Sequence, residues 1–556
     1  MSRQSNKRKR NRGTVRWWDG PFEFLWPLTF LGVVILIFGA RSMFPERDIR
    51  QLMGTRNEPS KKEVVHFNDE ETAPGIPKPF YVSRDCGFEN KTERTLECGF
   101  LYVAEDRGNL LGNGVRLPVI VYRDTSSIGR RSDPLLFIGG GPGASSFTEP
   151  PWAAVWSMML PEMEWIGKRD VIIFDQRGSG WSKPSFDCPD FDWLRRWMSP
   201  RSDPYCYKIT AQQYLRPLVA CRDKLIANGA DLSTYSTASI VDDIEDLRKE
   251  LGIKSWNLWG VSYGSRVALT MMGGKVDGLR SVILEGVLPP GIGDQRNVIG
   301  DFARILDRVI TQCNSSKNCK SRYPKLVENF NAVLERLGTY PIFINIKRDW
   351  TLRSHFIRKS WTRLRLDDVL YVSTIYNELY SSESISALPR LISASAHHNY
   401  SPFIEALQEQ DLQSLIVNDV AGITIECNDQ TGYSRNIQQN WQTMPPTMQR
   451  LHEYKRMFDL CDEWANVPSG ETHSQPEYSR VPTLLLAGAF DPVTPAELAV
   501  QTHKLLPNSY LYVFPGNGHD ASENPCAQSI MRAFLDNPDE EPVHDCLASQ
   551  GPPTFQ

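Results

Sequence analysis

Two runs of alternating apolar and polar residues, Glu97–Asp106 (ECGFLYVAED) and Val115–Arg123 (VRLPVIVYR), are joined by a short stretch bearing Asn and Gly. Period-two alternation interrupted by turn residues predicts an antiparallel hairpin. The pattern then changes to short, uniformly apolar runs: Pro134–Ile138 (PLLFI), Asp170–Phe174 (DVIIF), Leu279–Leu284 (LRSVIL), Val481–Ala487 (VPTLLLA) and Tyr510–Phe514 (YLYVF). Helical spacing separates several of them. Ser239–Leu251 carries Ile240, Ile244, Leu247 and Leu251 on one stripe, and Pro495–Leu506 and Ala527–Leu535 read as two further helices. Apolar strands alternating with helices predict an α/β class, with a mostly parallel sheet covered on both faces. The rhythm lapses between Pro289 and Ser479, where Asn297–Gln312, Leu366–Tyr380 and Ser384–Ser395 predict a largely helical lid. Cys188–Tyr235, rich in Trp, Cys and Pro, reads as a smaller insertion.

The most informative stretch is Ser255–Met272 (SWNLWGVSYGSRVALTMM). An apolar strand ends at Ser262, and a helix with Val267, Leu269, Met271 and Met272 begins at once. Gly260 and Gly264 flank the serine, which lets strand and helix backbones approach at a turn that exposes its hydroxyl. A G-x-S-x-G pattern alone is common and also fits a buried serine in a tight turn, but the strand–turn–helix context favours a nucleophile. A serine hydroxyl needs a base, and the base needs an acid to orient it. Of the nine histidines only His519 directly follows a predicted strand, in Gly516-Asn517-Gly518-His519. Asp491 follows the preceding strand, a place where a helix-capping Asp is also common. The order Ser262, Asp491, His519, each after a strand of the right kind, predicts nucleophile, orienter and base. The oxyanion that forms requires backbone N–H donors. Tyr263, at the helix start, and Gly141, in the turn Gly139–Gly143 after Ile138, are the expected donors.

The N-terminus changes the picture. Seven Lys and Arg residues between Arg3 and Arg16 precede Leu25–Ala40, 16 residues without a charge. A helix of that length covers ~24 Å, against a hydrocarbon core of ~30 Å. Trp17, Trp18 and Trp26 suit the interface, and the basic flank predicts a cytosolic tail with the main body across the membrane. The alternative is a signal peptide cut after Ser42, giving a secreted protein. The expected organisation is therefore a basic tail (1–24), an anchor or signal helix (25–40), a stem (41–78), a first core part (79–288), the lid (289–479) and a final core part (480–556). The net charge of −4 argues against nucleic acid as the main partner.

Eleven cysteines fit an oxidising compartment. Spacing suggests Cys86 with Cys98, Cys313 with Cys319, Cys427 with Cys461 and Cys526 with Cys546. Cys188, Cys206 and Cys221 remain, so one thiol is left over. No C-x-x-C occurs and histidines do not cluster with cysteines, so no metal is expected, and the chemistry above needs no cofactor. Asn90, Asn314 and Asn399 each begin an N-x-S/T pattern.

Three motifs, Gly139-Gly-Gly-Pro-Gly143, Asp175-Gln-Arg-Gly-Ser-Gly-Trp-Ser182 and Gly260-Val-Ser-Tyr-Gly264, resemble those of the α/β-hydrolase serine peptidases of the prolyl aminopeptidase family. The match is nearest to the secreted tripeptidyl-aminopeptidase-like branch. Tyr235–Asp243, the Cys313…Cys319 pair before Tyr323-Pro324, and the segment holding Asp491 and His519 are similar to that branch too. The resemblance covers about residues 80 to 548 and departs at Gly139, where many members carry His. It implies an α/β-hydrolase fold and release of single residues or short peptides from free N-termini through an acyl-enzyme. Such an exopeptidase must recognise a protonated amine, for which Glu285, Glu426 and Asp429 are the candidates. The alternatives are an esterase or lipase using the same three residues, or a non-catalytic adhesion module on the same fold.

Overall fold

The computed structural model describes residues 76, 78–149, 153–188, 211–274, 277–290, 298–350, 358–413, 417–429, 461–464 and 479–556. The basic tail, the apolar segment and nearly all of the stem lie outside them. Among the described residues no helix is long and apolar enough to cross a membrane.

The described strands are β1 (Phe80–Arg84), β2 (Thr95–Ala104), β3 (Gly114–Arg123), β4 (Leu135–Ile138), β5 (Val171–Phe174), β6 (Trp256–Val261), β7 (Leu279–Glu285), β8 (Ile342–Trp350), β9 (Arg358–Leu366), β10 (Thr483–Gly488) and β11 (Ser509–Phe514). Nine of them form one sheet in the order β1-β2-β3-β5-β4-β6-β7-β10-β11. The predicted β2–β3 hairpin is present, and β1, β2, β3 and β5 pair antiparallel in turn. From β5 to β11 every pairing is parallel. β1 has no counterpart in the sequence reading. Its run FYVSR is largely exposed and lacks the apolar face that would mark it.

The uniformly apolar strands are explained by burial on both faces. Along β4, Leu136 and Ile138 enter one core while Leu135 and Phe137 enter another. β10 repeats this, with Leu485 and Ala487 on one side and Leu484 and Leu486 on the other. The helix Thr237–Glu250 presents Ile240, Ile244 and Leu247 to the first core, and Pro525–Asp536 presents Ile530, Met531 and Phe534 to the second. Each fully buried side chain of this size contributes about 1.5–3 kcal/mol.

Residues 298–350 and 358–413 contribute to a separate core around Phe302, Leu306, Leu337, Tyr371, Ile375 and Phe403. Helices Val298–Ser315, Asp368–Glu378 and Ser382–Ala396 match the expected helical stretches. The β8–β9 hairpin does not. In β8 the half-buried Ile342 and the buried Ile344 and Ile346 do alternate, but the charged residues of KRDW and RKSWTRLR hide the pattern. The helix Asp419–Asp429 belongs to the sheet's core instead, through Val420, Ala421, Ile423 and Ile425.

All four predicted disulfides are present, and Cys188 pairs with Cys221. The remaining thiol, Cys206, lies outside the described residues.

Candidate active site

In sheet order β4 lies between β5 and β6, so the chain moves outward from β4 in one direction with β5 and in the other with β6. In parallel α/β sheets the crevice at such a reversal, beyond the carboxyl ends of the strands, is where ligands bind. β4 ends in the glycine turn and β6 ends in Ser262, with Ile138 paired to Gly260. The adjacent motifs thus meet because of topology.

Ser262 has φ 57° and ψ −122°, a left-handed conformation that an L-residue adopts only under constraint. The constraint is the direct passage from β6 into the helix Tyr263–Gly273. A β-carbon on Gly260 would stand 2.5 Å from the Gly264 carbonyl oxygen, and one on Gly264 would strike the Ile138 carbonyl. Both glycines of the motif are therefore required by close backbone approach. The Ser262 N–H donates to the Glu285 carbonyl at 2.8 Å, and the Ser265 hydroxyl donates to the Ser262 carbonyl. Helix Tyr263–Gly273 starts immediately after the hydroxyl, and its first N–H groups point back toward it. Among the described residues neither the Tyr263 nor the Gly141 N–H has an acceptor.

The glycine turn lies against the elbow. A β-carbon on Gly140 would stand 3.1 Å from Ser262 Cβ, so Gly140 is the residue that makes room for the serine, next to the expected donor Gly141. The turn is braced from β5. Gln176 Nε2 donates to the Gly139 carbonyl at 3.0 Å. Asp175 accepts from the N–H groups of Ser146 and Trp181 and from the Thr148 hydroxyl. Arg177 forms a buried two-bond pair with Asp243, both bonds 2.7 Å. The Asp-Gln-Arg motif supports the turn, and Gln176 holds it in a chain that has glycine rather than histidine at position 139.

Asp491 and His519 follow β10 and β11. Asp491 is fully buried. Its Oδ1 accepts the N–H groups of Val493 and Thr494, and its Oδ2 accepts from the Thr494 hydroxyl at 2.6 Å and lies 2.7 Å from His519 Nδ1. Thr494, absent from the sequence reading, also stands 3.1 Å from His519 Nδ1. The His519 N–H donates to the Tyr380 carbonyl at 2.8 Å, and the Tyr380 ring packs edge-on against the imidazole. Burial pushes the His519 pKa down, but the Asp491 charge and hydrogen bond, with Glu285 and Asp520 nearby, push it up by more; the net shift is upward. Among the described residues Ser262 Oγ makes no hydrogen bond, to His519 included, so proton transfer requires that contact to close. Such bonds often tighten only with substrate bound. Asp520 faces the other way, accepting from the Ser382 N–H and hydroxyl at the start of the helix Ser382–Ala396.

The three acids proposed for an amine do not converge. Glu285 is 2% exposed and turned to Trp259 and Ser522, with a donor on each oxygen. Its strand-end position looked open in the sequence, but the loop after His519 closes over it. Glu426 and Asp429 do come together, on one helix that packs beside the elbow helix. Arg266 Nη1 lies 3.1 Å from Glu426 and 3.9 Å from Asp429. Asp429 also accepts from the Thr237 N–H at 2.9 Å and from its hydroxyl, which stands 2.6 Å from the Tyr263 hydroxyl. Burial, partly offset by Arg266, raises the Asp429 pKa. Two carboxyl groups thus face one guanidinium about one turn from the candidate nucleophile. At its other end the helix touches the glycine turn: the Asn418 N–H donates to the Gly143 carbonyl at 2.9 Å, and a β-carbon on Gly143 would lie 2.9 Å from the Gly422 nitrogen.

The family model described as the alpha/beta hydrolase fold matches residues 133–322, and the model described as TAP-like protein matches residues 450–546. The chain is an α/β hydrolase with a TAP-like C-terminal part. The first match includes Ser262 and the second includes both Asp491 and His519. The hydrolase is 26% identical over 231 residues to the tripeptidyl aminopeptidase of Streptomyces lividans, which is 39% of this chain and 41% of that protein. The match thus spans about two fifths of the relative's length. It is 22% identical over 467 residues to the Escherichia coli (strain K12) protein YuaR, named as a hydrolase, covering 79% of this chain and 86% of the relative. Among solved structures, the proline iminopeptidase of Mycobacterium smegmatis aligns with 14% identity and a TM-score of 0.35, covering 76% of this hydrolase and 96% of that chain.

Proposed function

We propose that this hydrolase is a serine aminopeptidase that releases single residues or short peptides from free N-termini. The observation that carries the reading is the 2.7 Å contact of His519 Nδ1 with buried Asp491, at the same strand ends as the strained Ser262 elbow. In the proposed reaction Ser262 Oγ attacks the scissile carbonyl carbon while His519 Nε2 takes its proton. Asp491 stabilises the imidazolium that forms, and the Tyr263 and Gly141 N–H groups hold the oxyanion. His519 then protonates the leaving amine, the acyl-enzyme remains on Ser262, and a water deprotonated by His519 releases the acyl group. Glu426 and Asp429 hold the substrate ammonium, the pair having one negative charge more than Arg266 neutralises when both are ionised. The name of the tripeptidyl aminopeptidase relative supports peptide substrates, and the acidic pair supports a free amine. Five disulfides support export to an oxidising compartment. The N-terminal apolar segment is proposed to hold the protein at the membrane there.

The test is a panel of fluorogenic aminoacyl and tripeptidyl amides, each with a free and an acetylated N-terminus, assayed with the wild type and Ser262→Ala. Turnover confined to free N-termini and lost in the variant supports the reading. Hydrolysis of blocked amides or simple esters in preference identifies an esterase with the same residues.

A further inference from the structure

Glu285 lies outside the serine–histidine–aspartate set, yet it touches both segments that the set must bring together. It is the last residue of β7 and is paired with Val261, the residue before the elbow. Its carbonyl accepts the Ser262 N–H. Its Oε2 accepts from Trp259 Nε1 at 3.2 Å, three residues before Ser262, and its Oε1 accepts from the Ser522 N–H at 2.8 Å, three residues after His519. Burial pushes the Glu285 pKa up, and the bonds from Ser522 and Trp259 together with the His519 ring pull it back; a donor on each oxygen matches the ionised carboxylate, which can accept from both sides. A buried carboxylate is costly unless so satisfied, and an apolar side chain would fill the same space without that cost.

We propose that Glu285 is a positioning residue for the hydrolysis, clamping the histidine loop to the nucleophile strand and placing a fixed negative charge behind the imidazole. The inference rests on the aminopeptidase reading for its catalytic meaning. The clamp acts on distance: Ser262 and His519 follow β6 and β11, which are separated in the sheet by β7 and β10. Glu285, on β7, bridges that gap with one side chain. The charge acts on the imidazolium that the attack step creates. Other groups facing His519 are Asp491 and Thr494 from the loop after β10, Tyr380 from the lid, and Asp520 from its own loop. Asp520 is engaged with Ser382 at a helix start, and Glu523, further along, is pushed well above its ordinary pKa by burial and by Asp520, toward its neutral form. Asp491, Glu285 and Asp520 are the buried carboxyl groups whose charge bears on the ring, and of these Glu285 is the one bonded to the nucleophile strand.

The test compares wild type, Glu285→Gln and Glu285→Asp in kcat and KM across pH on a free-N-terminus amide substrate. In parallel, the His519 ring is titrated by NMR in a Ser262→Ala background. Glu285→Gln removes the charge: the acid limb of kcat/KM and the ring titration are expected to move down by about one pH unit. Glu285→Asp keeps the charge but shortens the reach: kcat is expected to fall about tenfold or more, with KM within about twofold and the ring titration unmoved. An unshifted ring in Glu285→Gln, or wild-type kcat in Glu285→Asp, overturns the proposal. If the Gln variant does not fold, the Asp variant decides alone. The ring titration needs no turnover, so a failure of the aminopeptidase reading, seen as wild-type turnover that survives Ser262→Ala, is distinguishable from a failure of this one.

Discussion

A β-carbon on Gly286 would stand 2.6 Å from Cε1 and 3.0 Å from Nδ1 of His519. The imidazole therefore rests on the residue that follows Glu285, one position past the strand end that receives the Ser262 N–H. Gly286 also has φ +56°, which adds about 1–2 kcal/mol of strain for any L-side chain. Gly286→Ala is expected to displace the ring and lower kcat by about tenfold or more, with a clear drop in melting temperature. Steady-state kinetics and a thermal melt on the same sample check both.

Asp491 accepts four hydrogen bonds and leaves no oxygen idle. Asp491→Asn keeps the shape but turns an amide toward groups that also donate, and it favours the wrong imidazole tautomer. A fall in kcat of about 10⁴ is the expectation for a triad carboxylate. Thr494→Val removes one donor to the same oxygen and should cost far less. Equal losses in the two variants would show that Asp491 acts only as a turn cap.

The upward shift of His519 gives activity and stability opposite slopes. The base must be neutral, so the acid limb of kcat/KM is expected above the ordinary imidazole value of about 6.5. The native state favours the protonated ring, so this group's stabilisation is fully present below about pH 6.5 and is lost as pH rises through the raised folded value. Across that window activity climbs while this contribution to stability declines. Melting temperatures and kcat/KM measured in the same buffers check the sign, and Asp491→Asn should remove most of the stability slope.

Glu426→Gln and Asp429→Asn are expected to raise KM for free N-termini about tenfold or more and to leave the rate of Ser262 labelling by an uncharged fluorophosphonate unaffected. Glu426→Gln also removes the nearer partner of buried Arg266, which costs about 3–5 kcal/mol where a buried pair is broken. Comparing turnover with fluorophosphonate labelling separates the two effects, because a merely unstable protein loses both alike.

Most of the sheet was legible because its strands are buried on both faces, and runs such as LLFI and TLLLAG admit few other readings. The elbow and the Asp491 and His519 loops were legible because each follows such a strand at once. β1 and the β8–β9 hairpin were not, since exposed or basic residues dominate them. The supporting side chains were harder still. Gln176 reaches Gly139 and Thr494 reaches His519 through folding alone, and no local spacing announces either contact. Glu285 was legible as a residue at the right strand end but not in its role, because the Ser522 N–H that occupies it is 237 positions away in sequence.

The central claim is that Ser262 forms a covalent intermediate with the help of His519. Reaction of the purified protein with a fluorophosphonate, followed by mass spectrometry of its peptides, tests it most directly. The account predicts one adduct per chain on Ser262, lost in Ser262→Ala and strongly slowed in His519→Ala, with both variants folded. An unlabelled Ser262 in a folded, catalytically active protein, or labelling that is indifferent to His519, would contradict it.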